Sequence, residues 1–193
     1  ESDVMADFRH IGDRLVHEGG VWNVVVGSFL DPDGESFTRD IVRSPGSVAV
    51  LPLMFDPEGV PSVVLLRQYR PTYGEFIYEV PAGMRDVPGE PIEATAQREL
   101  LEEVGLTAQK LQHIFSMKPS PGMTDAVTEL FLATDCTRGI ADRQGPEEEH
   151  MEVHHLPMER ALTMIDNGEI TDAKTVTALL LTNRVLMQRD SAR

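Results

Sequence analysis

Glu79-Val-Pro-Ala-Gly83-Met-Arg-Asp-Val-Pro-Gly-Glu90-Pro-Ile-Glu-Ala-Thr-Ala-Gln-Arg98-Glu99-Leu-Leu-Glu102-Glu103-Val-Gly105 is the stretch whose reading decides the fold. Its second half reads as a helix. Pro91 suits the first helical turn, where a missing N–H costs nothing, and Gly105 suits the left-handed position just past the end. The residues between are good helix formers. Glu99, Glu102 and Glu103 fall at i, i+3 and i+4 and project from one face. Leu100, Leu101 and Val104 form an adjoining arc expected to bury against a sheet.

The bland account of such a helix is a solvated face with Arg98 pairing Glu102. Two costs weigh against it. Like charges at i, i+4 repel by a few tenths of a kcal/mol, and these stand near the helix's negative end, where its dipole disfavours them. One arginine serving three acids suggests that a cation completes the cluster. Carboxylates without neighbouring thiols or imidazoles suit a hard divalent ion such as Mg²⁺ or Mn²⁺.

Gly83, Glu90, Arg98, Glu99, Leu100, Glu102, Glu103, Gly105 and Leu106 resemble the box of the Nudix hydrolases. That box is a loop–helix–loop that binds metal and cleaves nucleoside diphosphates linked to another moiety. Every fixed position from Glu90 to Leu106 keeps the family spacing. Six residues separate Gly83 from Glu90, where the family has five. Arg67-Gln-Tyr-Arg70, Tyr78–Gly83, Ser120-Pro-Gly122 and Gly168–Thr175 are similar to stretches of the ADP-ribose pyrophosphatase branch, with Asp125 where a Glu is common. The likeness spans roughly residues 20–185.

The resemblance implies roles residue by residue. Glu99 and Glu103 are the first-choice metal ligands, Glu102 shares or bridges, and the Ala82 carbonyl completes the set for two or more ions. Glu90 is expected to cap the helix, with a ligand role the weaker alternative. A general base is expected on a loop just before a strand, where Glu147-Glu148-Glu149 stands. Glu149 or Glu147 takes that part, and the choice stays open. A solvated acidic loop is the ordinary fate of such a triplet. Arg70 and Arg39 are expected at the diphosphate or the adenine, with surface ion pairing as the alternative. Trp22 is a candidate for adenine stacking, against a core or interface role. Glu79 and Gly122 complete the substrate set.

Composition bounds the rest. A chain of 193 residues makes one generous domain or a domain with a small appendage. A net charge of −15 argues against nucleic acid or an anionic membrane as a standing partner. The single Cys136 excludes an internal disulfide. No apolar run is long enough to span a bilayer, and the first residues lack a signal peptide's basic and apolar regions, so a cytoplasmic protein is expected. Adjacent His154 and His155 point to opposite sides of a strand and make no joint site.

Along the chain, residues 1–20 read as a partly ordered lead-in. Val21–Leu30 and Glu35–Arg43 read as a hairpin around Asp31-Pro-Asp-Gly34. Ser47–Phe55 and Ser62–Tyr69 read as strands buried on both faces, and Phe76–Val80 leads into the box. Leu111–Met117, Ala126–Thr134 and Met151–Leu156 follow as strands, then Met158–Asn167 and Thr175–Gln188 as helices. The expected fold is an α/β/α sandwich with a mixed sheet at 46–193, plus a small antiparallel β lobe at 1–45. The resemblance implies that this lobe swaps across a homodimer. The expected activity is metal-dependent hydrolysis of ADP-ribose to AMP and ribose 5-phosphate. The alternatives are another nucleoside diphosphate sugar or dinucleotide, or a non-catalytic ADP-ribose sensor.

Overall fold

The computed structural model describes residues 7–142 and 149–191, with side chains through 188. It divides into two compact units, 1–46 with 118–127, and 47–117 with 128–193.

The first unit is a three-stranded antiparallel sheet, β1 (Arg9–Glu18), β2 (Asn23–Leu30) and β3 (Ser36–Arg43), in that order. Residues 9–18 are therefore a strand, not a loose lead-in. The alternation is hidden because β1 shifts register against β2 twice, between His10 and Gly12 and between Leu15 and His17. Each bulge moves the following side chains to the other face, so no single period survives. The β2–β3 turn closes as expected, with Asp31 Oδ1 accepting the Asp33 and Glu35 amides. Segment 118–127 belongs to this unit: the Thr124 hydroxyl donates to the Val42 carbonyl, and Asp125 accepts from Arg43 and from the Ser44 amide.

The second unit is a seven-stranded sheet. Its strands are β4 (Ser47–Phe55), β5 (Pro61–Arg70), β6 (Glu75–Glu79), β7 (Ala82–Met84), β8 (Leu106–Met117), β9 (Thr128–Arg138) and β10 (Glu152–Pro157). The main path runs β10-β5-β4-β9-β8, with β6 on β5 and β7 on β4. Only β4 and β9 pair in parallel among these, so the sheet is mixed.

Among the described residues three helices cover the two faces: α1 (Ile92–Val104), α2 (Met158–Asp166) and α3 (Ala173–Ser191). The near-continuous apolar run of β4 now has its reason. Val48 and Val50 pack with Ala96 and Leu100 of α1, whereas Ala49, Leu51 and Leu53 pack with Met158, Ala161, Ala178 and Leu179 of α2 and α3. A strand buried on both sides alternates between two cores, both of them apolar. The α/β/α sandwich is thus present. No described helix is long and apolar enough to cross a membrane.

The α1 boundaries follow the sequence closely. Pro91 is the N-cap, with φ −61° and ψ 145°, one position before the first turn. Gly105 ends the helix at φ 65° and ψ 33°. The buried arc differs from expectation: it is Thr95, Ala96, Glu99, Leu100 and Glu103, while Leu101 is 37% exposed. The helix is rotated so that two carboxylates, not two more aliphatics, face inward.

Gly105→Ala should lower the urea midpoint with an unchanged slope, a loss of about 1–2 kcal/mol for a side chain held left-handed. An added Cβ would also stand 3.1 Å from the Ala141 nitrogen and the Gly139 oxygen. A midpoint equal to wild type would contradict the assigned helix end.

Candidate active site

The site begins where β6 runs into the box. The Val80 amide donates to the Thr175 hydroxyl, the Pro81 carbonyl accepts the Val50 amide, and Ala82–Met84 pairs antiparallel with β4. These bonds fix the Ala82-Gly83 backbone directly against α1. The Ala82 amide donates to Glu103 Oε2 at 2.8 Å. A Cβ at position 83 would collide with the carboxylate of Glu99. The absence of a Cβ is what lets the Glu99 carboxylate rest against this backbone in the position it occupies.

Next comes the extra residue of the loop. Val87-Pro88-Gly89-Glu90 closes by a bond from the Glu90 amide to the Val87 carbonyl, with Gly89 at φ 79°. That is a type II turn, with proline and glycine where it demands them. The turn absorbs the insertion before α1 begins.

Four carboxylates then gather around one guanidinium and one amide. Arg98 Nη1 donates to Glu99 Oε1 at 2.8 Å and to Glu102 Oε2 at 3.1 Å, and its Nε and Nη2 reach Glu90 at 3.3 and 3.2 Å. Glu90 also accepts the Thr95 hydroxyl. The expected capping role does not hold: α1 has no side-chain cap, and Glu90 is spent on Arg98 and Thr95. Those two donors hold the Glu90 carboxyl below the usual glutamate range, and Glu90 in turn leads the acids that raise the pKa of Arg98. Glu99 and Glu103 are 8% and 3% exposed, whereas Glu102 sits at the rim.

Among the described residues no three His, Cys, Asp or Glu groups stand at metal-binding geometry. The box acids close instead on Arg98 and the Ala82 amide. The donor set still suits a hard divalent cation in chemistry: carboxylate oxygens, the neighbouring Ala82 carbonyl, and a glycine that leaves room beside Glu99.

Arg70 and Glu79 form a second group. Arg70 Nε and Nη2 grip Glu79 at 2.5 and 2.7 Å, and Lys174 Nζ bonds the same carboxylate. Burial alone pushes Glu79 up, but Arg70 and then Lys174 overrule it, so its pKa lies below the ordinary 4.5. Arg70 is held charged chiefly by Glu79, with the fields of Glu103 and Asp172 adding. The sequence shows Asp172 and Lys174 only inside a segment similar to relatives. The available signal was the N-cap spacing from Asp172 to Thr175, now seen as the Thr175 amide bonding Asp172.

The remaining expected residues are placed as follows. Glu149 is exposed, two residues before buried Met151, and Glu147 lies outside the described residues. Trp22, Arg39 and Gly122 belong to the first unit. Trp22 is 52% exposed, Arg39 lies over the Phe37 ring and bonds the Thr38 carbonyl, and Gly122 is in a turn.

Fold and site define a class: an α/β/α domain built around a glutamate-rich loop–helix box. Comparison then specifies it. A model of the NUDIX domain matches residues 45–179. The ADP-ribose pyrophosphatase of Bacillus subtilis (strain 168) is 36% identical over 171 residues, covering 89% of this chain and 90% of that one. The ADP-ribose pyrophosphatase of Mycobacterium tuberculosis (strain ATCC 25618 / H37Rv) is 34% identical over 183 residues, covering 93% and 84%. A crystal structure of an ADP compounds hydrolase shares the fold at TM-score 0.79 and 20% identity, over 97% of this chain and 98% of that one. The chain belongs to the Nudix family.

Glu79→Gln should destabilise the protein, and the deficit should depend on pH. Because the folded pKa of Glu79 is depressed, its contribution is complete above about pH 4.5 and fades as pH falls through the lower folded value. Unfolding curves from pH 7 to 3 should therefore show the wild-type advantage shrinking toward acid; a constant gap would refute the paired-carboxylate assignment.

Proposed function

We propose that this protein hydrolyses the pyrophosphate bond of ADP-ribose, using divalent metal, and releases AMP and ribose 5-phosphate. The observation that carries it is the inward-turned pair Glu99 and Glu103 packed under the Ala82-Gly83 backbone. The substrate rests on the two ADP-ribose pyrophosphatase relatives, which align over most of the chain.

Members of the family generally need divalent metal ions. Here Glu99, Glu103, Glu102 and the Ala82 carbonyl would hold two or more, Mg²⁺ or Mn²⁺ by donor chemistry. Bound metal would neutralise the phosphates and lower the pKa of the attacking water. The protein's own share is orientation and proton transfer. Glu149 or Glu147 takes the proton from water as its oxygen attacks phosphorus and the P–O–P bridge breaks. Arg70, held by Glu79, offers a guanidinium to a phosphate. Trp22, Arg39 and Gly122 contribute substrate contacts as the family likeness implies.

A homodimer with exchanged lobes belongs to the same proposal. It is supported by Phe8, Ile11, Leu15 and Val16, on or beside β1, each more than half exposed; large apolar side chains left open on one strand call for cover. A cytoplasmic setting accompanies a nucleotide-sugar substrate.

A second reading within the class is supported by the GDP-mannose pyrophosphatase of Yersinia pestis (strain Pestoides F), 38% identical over 128 residues but covering only 61% of this chain. A non-catalytic sensor is opposed by the intact box acids.

With Mg²⁺ or Mn²⁺, a panel of nucleoside diphosphate derivatives should show ADP-ribose turned over fastest, with AMP as product. Glu103→Gln should lose roughly 10²–10³-fold in kcat, the scale of removing one charge-stabilising group, while circular dichroism stays native. Preference for GDP-mannose would install the second reading, and binding without turnover would install the sensor.

Of the single variants Glu149→Gln and Glu147→Gln, one should lose about 10²–10⁴-fold in kcat as a general base. Full activity in both would place the base elsewhere.

A further inference from the structure

Behind the box lies a charged cluster that the reaction as described does not use in full. Glu79, its side chain 3% exposed, takes Arg70 on both oxygens and Lys174 on Oε2. Lys174 Nζ donates also to Asp172 Oδ1 at 3.0 Å. Asp172 Oδ2 in turn accepts the Thr175 amide and, at 2.6 Å, the Thr175 hydroxyl, whose oxygen receives the Val80 amide at 2.8 Å. The start of α3 is thus fastened to the end of β6 at two adjacent residues, Glu79 by side chain and Val80 by backbone.

Stability alone is a poor reason for such a cluster. Buried ion pairs can often be exchanged for apolar residues with no loss. The geometry suggests orientation instead. Arg70 spends its Nε–Nη2 edge on Glu79, and among the described residues its Nη1 has no hydrogen bond. Its side chain is 38% exposed, against 17% for Lys174, so Arg70 is the more open of the two cations. The charge of Glu103 acts on it, which sets Arg70 within electrostatic reach of the box.

We propose that Lys174 is a positioning residue: with Glu79 it locks the Arg70 guanidinium edge-on and presents Nη1 to a phosphate oxygen of the substrate. The inference rests on the diphosphate reading above. Lys174 touches no substrate itself. It fixes the rotamer of Glu79, and without it that carboxylate has one cation and freedom to swing, taking the guanidinium with it. Small displacements of a binding group are costly, and the loss should fall on KM more than kcat, because Arg70 serves bound substrate and transition state alike.

A double-mutant cycle tests this. Affinities for the non-hydrolysable α,β-methylene ADP-ribose, and for ADP, are measured by calorimetry with Mg²⁺ for wild type, Lys174→Met, Lys174→Arg, Arg70→Ala and the double variant Lys174→Met/Arg70→Ala. Lys174→Met should weaken binding about 10-fold, Lys174→Arg should recover most of it, and Lys174→Met should cost nothing more in the Arg70→Ala background. A loss of the same size in that background, or none in the single variant, would overturn the proposal. Should Lys174→Met not fold, Lys174→Gln carries the cycle. Wild type binding ADP but not the ADP-ribose analogue would count against the substrate reading, and Lys174 is then decided on ADP. Binding of neither overturns both.

Discussion

The site depends on one contact, the packing of two glutamates of α1 beneath the backbone of Ala82 and Gly83. Carboxylates resist burial unless donors replace the lost water. Here Glu103 receives the Ala82 amide and Glu99 receives Arg98. The missing side chain of residue 83 lets the chain lie on the Glu99 carboxylate. A helix turned this way stands acids where an ordinary amphipathic helix would stand leucines, and Leu101 is displaced outward as a result.

That arrangement must be enforced from outside the helix. β4 supplies the enforcement because it is covered on both faces and cannot shift. Its Val48 and Val50 hold α1, while its edge pairs with β7 and its Val50 amide takes the Pro81 carbonyl. The box is therefore bound to the most buried strand of the sheet through backbone and core at once. The far side adds α3, tied by Thr175 to Val80. Val80 and Ala82 thus join the core under α2 and α3, while the Pro81 carbonyl is held by Val50 of the core under α1.

What was legible in the sequence follows from which forces are local. The spacing from Glu90 to Leu106 and the Pro91 and Gly105 boundaries are local, and they placed α1. The two-sided apolar run of β4 announced the layered fold. β1 was illegible because two bulges erase its period. The inward turn of Glu99 and Glu103 was illegible because helix periodicity assigns burial by hydrophobicity, and here a backbone amide and an arginine outweigh it. Glu90 looked like a cap, yet the winning partner was Arg98, eight residues on, with the Thr95 hydroxyl. The membership of 118–127 in the first unit rests on Arg43–Asp125 and Val42–Thr124, bonds more than 80 residues apart in sequence that no local pattern announces.

An acidic chain of net charge −15 that handles a diphosphate faces a constraint of its own. Free cations would be drawn to the nearest surface acid, and exposed pairs of that kind hold no geometry. The structure uses another arrangement. Arg98 is committed to the box acids, where it balances their repulsion, and Arg70 is committed along one edge to a buried glutamate. A guanidinium anchored on one edge keeps its charge and direction while the other edge stays available to an anion. In a strongly negative protein, a buried carboxylate behind an arginine is thus the means by which a positive group keeps its place, and not a charge that cancels it.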